Sequence, residues 1–196
     1  MGEPSSSERT AATFEGAHPL AQRLFERVEG RRGPVIVVGD GRGRNSRALR
    51  AAGLTVIAVA DEAPYTQLDG AAKTYEGALS THAYLHGTSS KIRAGIAELA
   101  RVLQPDAPAL LTLGSIRDVR YGFGDPIDVH TFAPGDGSEA GVPHAYFDRD
   151  GVLDVLRPFT VIRAEEVAVD EIVGKWAHLD EEPAGKIHWF VEVRKP

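Results

Sequence analysis

The chain has 196 residues, 42% hydrophobic and 26% charged, with a formal net charge of −6 and no cysteine. That length and composition fit one globular domain with a substantial core. The acid excess argues against nucleic-acid binding by phosphate neutralisation, the missing cysteines remove disulfides, thiolate metal sites and a thiol nucleophile, and no apolar stretch approaches a membrane span or a signal core. The expectation is a cytoplasmic protein that engages neither nucleic acid nor membrane.

Residues 1–13 are rich in Ser, Glu and Thr and are expected to be disordered, leaving residues 14–196 as the single domain. His18 to Glu29 places Leu20, Leu24, Phe25 and Val28 at helical spacing. The run Val35-Ile36-Val37-Val38 is β-branched and stiff at χ1, which suits a strand covered on both faces. Gly39, Gly41 and Gly43 follow at once, and Asn45 to Ala52 reads as a helix. Strand, glycine turn and helix together aim free backbone N–H groups at a ligand. Arg42, Arg44, Arg47 and Arg50 cluster at this helix and read as a solvated face.

Gly53 caps that helix, and Leu54 to Ala60 is the second strand. Asp61 to Tyr75 is short, is interrupted by Pro64 and Gly70, and has no β-branched run. Glu76 to Thr81 is the next strand. Ser89 to Leu103 is an amphipathic helix through Ile92, Ile96, Leu99 and Leu103, with Ser89 or Ser90 as its N-cap. Ala109 to Leu113 is another buried strand, and the alternation predicts a parallel sheet with right-handed crossovers. Residues 114–146, rich in Gly, Asp and Pro and without periodicity, read as a lid-like loop at the carboxyl end of a central strand. Phe147 to Leu156 is a short helix capped by Asp148. Phe159 to Val169 and Ile187 to Val193 are the last strands, flanking a second lid-like loop at 170–185.

The glycine spacing is neither a dinucleotide fingerprint, whose third glycine would fall on Arg44, nor a Walker loop, which needs Gly-Lys-Ser/Thr. Gly39-x-Gly41-x-Gly43 resembles the class I S-adenosylmethionine (SAM)-dependent methyltransferases, and Gly43-Arg44-Asn45-Ser46 is most similar to their TehB-like, tellurite-resistance branch. Ala78-Leu79-Ser80-Thr81-His82, Arg101-Val102-Leu103-Gln104-Pro105 and Leu111-Thr112-Leu113-Gly114-Ser115 fall in order where that family has its fourth strand, the following helix and the fifth strand. The resemblance covers about residues 18–196. It implies a Rossmann-like α/β fold with a mostly parallel sheet and an antiparallel last strand. It also implies SAM as cofactor, with Gly39, Asp40, Gly41, Gly43, Arg44 and Asn45 at its methionine end, Asp61 at the ribose, and Ser80, Thr81 and His82 at the far wall.

Two family acids are unmatched: Val37 stands two residues before the first glycine, and Ala60 ends the second strand with Asp61 one step late. The family also fits a helix and a third strand where this chain has only 61–75, so a shortened third-strand region is expected, with Tyr65 or Leu68 over the adenine.

Methyl transfer from a sulfonium is an in-line displacement that demands alignment and exclusion of water rather than a fixed catalytic signature. Arg117 and Arg120 could clamp an anionic acceptor or form loop salt bridges. His144 could orient or deprotonate a nucleophile or serve as a structural histidine. Tyr121, His130, Trp176 and His178 are the candidate substrate contacts in the two loops. His82 and His86 are four apart, but no Glu lies between them and Gly87 breaks the segment, so no metal site is expected. Asp125, Asp128 and Asp136 read as turn acids, and the absence of a Gly-x-Ser-x-Gly elbow argues against a serine hydrolase.

The resulting expectation is a SAM-dependent methyltransferase acting on a small-molecule acceptor. The alternative is a catalytically degenerate protein of the same fold that senses a ligand or binds a partner, favoured by Val37, Ala60 and the short stretch 62–74. A nucleotide-dependent enzyme is disfavoured by Arg44 and by Ala60. An uncovered edge at the second strand could pair with a second copy and give a homodimer.

Overall fold

The computed structural model describes residues 12–61, 63–169 and 184–196. Its elements run α1 (Pro19–Arg27), β1 (Val35–Val38), α2 (Arg44–Ala51), β2 (Val56–Val59), β3 (Gly77–Ser80), α3 (Ser89–Val102) and β4 (Pro108–Ser115). They continue through β5 (Asp125–Asp128), β6 (Thr131–Ala133), β7 (His144–Phe147), α4 (Arg149–Val155), β8 (Thr160–Ala168) and β9 (Ile187–Arg194). Among the described residues no helix is long and apolar enough to cross a membrane.

The main sheet has the order β2-β1-β3-β4-β9-β8. The pairs β1·β2, β1·β3 and β3·β4 are parallel, and β9 lies antiparallel between β4 and β8. This is the Rossmann-like α/β arrangement that the sequence led us to expect, antiparallel last strand included.

Side chains alternate across a strand, and that sorts the apolar runs into two cores. Ile36 and Val38 of β1 join Leu111 and Leu113 of β4 on the face covered by Ile92, Ile96 and Leu99 of α3 and Val152 of α4. Val35 and Val37 join Leu110 and Phe190 on the other face, under Leu20 and Leu24 of α1 and Leu49 of α2. Val37 therefore packs into the second core, where an acid would lie buried among apolar side chains.

Among the described residues no strand forms between β2 and β3, and the shortened third-strand region leaves β2 bonded only to β1. Tyr65 and Leu68, expected over an adenine, are instead 5% exposed and join the α3 side of the core. The Tyr65 hydroxyl donates to the His86 carbonyl at 2.6 Å, its ring meets Tyr84 edge-on, and burial pushes its hydroxyl up to about 12. The helix predicted from Ser89 is capped one residue earlier, where the Thr88 hydroxyl accepts from the Lys91 N–H.

Residues 114–146 contain three strands rather than one irregular lid. β5 and β6 form a hairpin around Val129 and His130, and β6 pairs antiparallel with β7. β7 in turn runs parallel to the end of β4 through Gly114↔Tyr146 and Ser115↔Phe147. Polar and glycine-rich composition masked these short strands. The second loop expected at 170–185, with Trp176 and His178, lies almost wholly outside the described residues, as do residues 1–11 of the expected disordered segment. Phe14 is buried against α1.

Candidate functional site

Chain folding brings two groups of residues to the carboxyl end of β1, β3 and β4. The first is the glycine turn after β1. Gly39, Gly41 and Gly43 all take positive φ, at +67°, +47° and +74°. A Cβ at Gly39 would lie 2.7 Å from the Ala83 Cβ, so the turn packs tightly against the segment after β3. Asp61 reaches over from the end of β2, and its Oδ1 accepts from the Gly41 N–H at 3.0 Å while the residue stays exposed.

Asp40 is 7% exposed and turns inward, its carboxylate accepting from the backbone N–H groups of Asn45 and Ser46 at 3.2 and 2.9 Å. It therefore caps the first turn of α2, satisfying donors that the sequence had offered to a ligand. Asn45 is also buried. It accepts from the His18 N–H at 2.9 Å and donates to the Thr81 hydroxyl at 3.0 Å, locking α1, α2 and the end of β3 together. The half-buried Arg44 lies near the Asp40 carboxylate, and burial lowers its pKa. Ser80, one residue before Thr81, is buried with no hydrogen-bond partner for its hydroxyl.

The second group lines an adjoining pocket of about 50 Å³ free volume, bounded by His82, Leu85, His86, Gly114, Asp118, Arg120, Glu139, His144, Ala145, Tyr146, Lys186 and His188. Glu139 lies among its cations: Oε1 is 3.2 Å from His86 Nε2, and Oε2 is 3.2 Å from Arg120 Nη1 and 3.3 Å from His144 Nε2. The imidazoles of His144 and His86 hold its carboxyl far below the usual range. His144 is 7% exposed, and its Nδ1 faces the Val142 carbonyl at 2.8 Å, which assigns that nitrogen the proton in the neutral ring. Its Nε2 lies 3.3 Å from Glu139 Oε2 and meets hydrogen-bond geometry to no group among the described residues. The three rings stack edge to face, His82 on His86 at 4.3 Å and His86 on His144 at 4.8 Å. Burial raises the pKa of Asp118, whose carboxylate accepts from the N–H groups of Arg120 and Ile187 at 2.8 Å and so pins the start of β9 to the pocket.

Of the residues selected from the sequence, His82, Arg120 and His144 meet in this pocket. Arg117 does not: it is 67% exposed and pairs with Glu166 of β8 at 2.8 Å, the salt bridge that was its alternative reading. His130 occupies the hairpin turn at φ +53°, with Nδ1 at 2.5 Å from the Tyr121 hydroxyl, and Tyr121 packs on Phe132 and Tyr146 outside the pocket. Sequence reasoning missed Glu139, Asp118 and His188. Glu139 stands alone in a Gly- and Asp-rich stretch, where no spacing marks it.

No family model matches the chain, and no curated protein matches it. Solved structures do share its fold. A SAM-dependent methyltransferase from Methanosarcina mazei, 13% identical, superposes with a TM-score of 0.64 over 91% of this chain and 97% of its own. The 1,6-didemethyltoxoflavin-N1-methyltransferase of Burkholderia thailandensis, solved with 1,6-didemethyltoxoflavin and S-adenosylhomocysteine, is 19% identical with a TM-score of 0.65 over 96% and 82%. The magnesium protoporphyrin IX methyltransferase of Synechocystis, solved with SAM, is 12% identical with a TM-score of 0.57 over 100% and 86%. At these identities the likeness establishes the fold, that of class I SAM-dependent methyltransferases.

Proposed function

We propose that the protein is a SAM-dependent methyltransferase acting on a small molecule. The observation that carries this reading is continuity: His82 follows Ser80 and Thr81 at the glycine turn and is itself a wall of the polar pocket. A donor site and an acceptor site would thus share one side chain.

The residues present fit the cofactor. Gly41 and Arg42 are exposed residues, Asp61 keeps an oxygen beyond its bond to Gly41, and the Ser80 hydroxyl is buried without a partner among the described residues. Gly39 to Gly43 would hold the methionine end, Asp61 the ribose hydroxyls, and Ser80 to His82 the far wall. When bound, SAM supplies an electrophilic methyl group on its sulfonium. This chain's contribution would be to orient the acceptor with Arg120, His82 and His144 and to exclude water beside Tyr146. The TehB-like resemblance of Gly43 to Ser46 and the small free volume both support a small acceptor.

Calorimetric titration with SAM and with its demethylated product tests the reading. The expected result is micromolar binding of either, weakened tenfold or more in Gly41→Val, whose side chain would meet Asp61. A Cβ there already lies 2.9 Å from Asp61 Oδ2. Absence of binding by both compounds would overturn it.

One observation favours a second reading, a degenerate protein of this fold that senses another ligand. Asp40 already occupies the first-turn donors of α2, and Val37 fills the position where the family carries an acid. Failure to bind SAM together with binding of an unrelated ligand in the same pocket would select it.

A further inference from the structure

We propose that His82, His86, Glu139 and His144 form a binding site for one divalent transition-metal ion of the zinc class. The inference goes beyond methyl transfer and does not depend on it. Ligand atoms of His82, His86 and Glu139 all lie within 4.8 Å of one another. Bonds of about 2.0–2.2 Å put neighbouring ligands of a tetrahedral ion about 3.3–3.6 Å apart. The contacts of Glu139 match that edge, with His86 Nε2 at 3.2 Å from one oxygen and His144 Nε2 at 3.3 Å from the other. His82 and His86 are half-buried and can close on an ion by rotating their rings.

The second observation is independent of that cluster's spacing. His144 is buried, and its Nδ1–H is engaged by the Val142 carbonyl. Its Nε2 is buried 3.3 Å from Glu139 Oε2 without meeting hydrogen-bond geometry to any described group, so it is turned into the cluster as a ligand atom would be. A buried ring nitrogen left without a hydrogen bond is costly, and an ion bound by both groups would satisfy it. The Nδ1 bond to a backbone carbonyl is also the usual outer contact of a metal-ligating histidine, since it fixes the ring and the tautomer. Arg120 bonds Glu139 Oε2 and so orients the carboxylate toward the histidines. Imidazole and carboxylate ligands together suit Zn²⁺, Co²⁺, Ni²⁺ or Fe²⁺ rather than Mg²⁺ or Ca²⁺, which prefer oxygen throughout.

Such an ion would leave the pocket electropositive. Arg120 and Lys186 already offset Asp118 and Glu139, so two further positive charges would favour an anionic or metal-ligating acceptor.

The test is equilibrium dialysis of chelator-treated protein against Zn²⁺, with bound metal measured by mass spectrometry, and Co²⁺ titration followed by visible absorption. One metal per chain and a tetrahedral Co²⁺ spectrum are expected. Glu139→Gln and His86→Ala, each checked for native circular dichroism, should weaken binding tenfold or more, and His144→Ala should do the same. No bound metal, or equal binding by wild type and all three variants, would overturn the site and leave a proton between His144 and Glu139. SAM titration of the same samples reads the methyltransferase proposal separately, so either can fail while the other stands.

Discussion

His18 shows how a single buried side chain can set the acid limit of the domain. It is 2% exposed, accepts from the Leu20 N–H through Nδ1 and packs on the ring of Phe190. Burial, then the charges of Arg44, His188 and Arg23, lower its pKa from 6.5 to about 3. The depressed value means that the unfolded chain binds the proton more tightly. Its contribution to stability is thus complete above pH 6.5 and is lost as pH falls toward 3. At roughly 1.4 kcal/mol per unit, acidification to pH 5 should remove about 2 kcal/mol. His18→Asn keeps a capping oxygen but cannot titrate. Urea unfolding at several pH values should show a shallower acid slope in this variant than in wild type, and equal slopes would refute the assignment. The sequence marks His18 only as the first residue of a helical pattern; its low pKa depends on Phe190 and Arg44, which are remote along the chain.

At the scale of elements, the join between α3 and the segment after β2 turns on Gly95. A glycine inside a helix ordinarily weakens it, and replacement by alanine gains roughly 0.5–1 kcal/mol. Here a Cβ would lie 2.4 Å from the Tyr65 ring and 2.9 Å from that of Tyr84. Overpacking of this kind costs about 1–3 kcal/mol, so Gly95→Ala should lower the melting temperature, and a rise would show that Tyr65 can move aside. The hairpin is the contrasting case. β5 is exposed along its whole length, and Ile127 and Val129 are 50% and 74% exposed. Its backbone amides should exchange with deuterium far faster than those of β1 and β4, which are buried throughout. Strands β1 and β4 were legible because their apolar runs are covered on both faces. β5 to β7 were not, because each is only three or four residues long, β5 is Asp-Pro-Ile-Asp, and their pairing is set by the end of β4.

For the molecule as a whole, ligand binding should register as global stability. A ligand at a hundred times its dissociation constant adds about 2.7 kcal/mol, which for a domain of this size is about 5–10 °C in melting temperature. SAM should produce that rise in wild type and a smaller one in Gly41→Val; no rise in either would count against the cofactor. The open edge of β2 is where a second copy would add. Ile57 is 43% exposed there, while Arg50 already donates to the Val56 carbonyl at 2.9 Å. We propose that any homodimer forms through this edge, so Ile57→Lys should convert it to a monomer of 21.1 kDa by gel filtration.

The sequence by itself determined the α/β class, the strand–glycine–helix turn, the antiparallel close and the shortened third-strand region. The first two are written in local terms, as apolar periodicity, β-branching and glycine spacing; the last two were implied by the resemblance of its motifs to class I methyltransferases. Tertiary structure alone decided which polar side chains meet. Asp40 and Asn45 became internal hydrogen-bond partners because α1 and β3 close over them. Arg117 went to Glu166 because β8 lies beside the end of β4 through β9. Glu139 reached His86 and His144 because the hairpin folds β7 back onto β4. Contacts between residues distant in sequence depend on register and crossover geometry, and no single stretch of this chain encodes them.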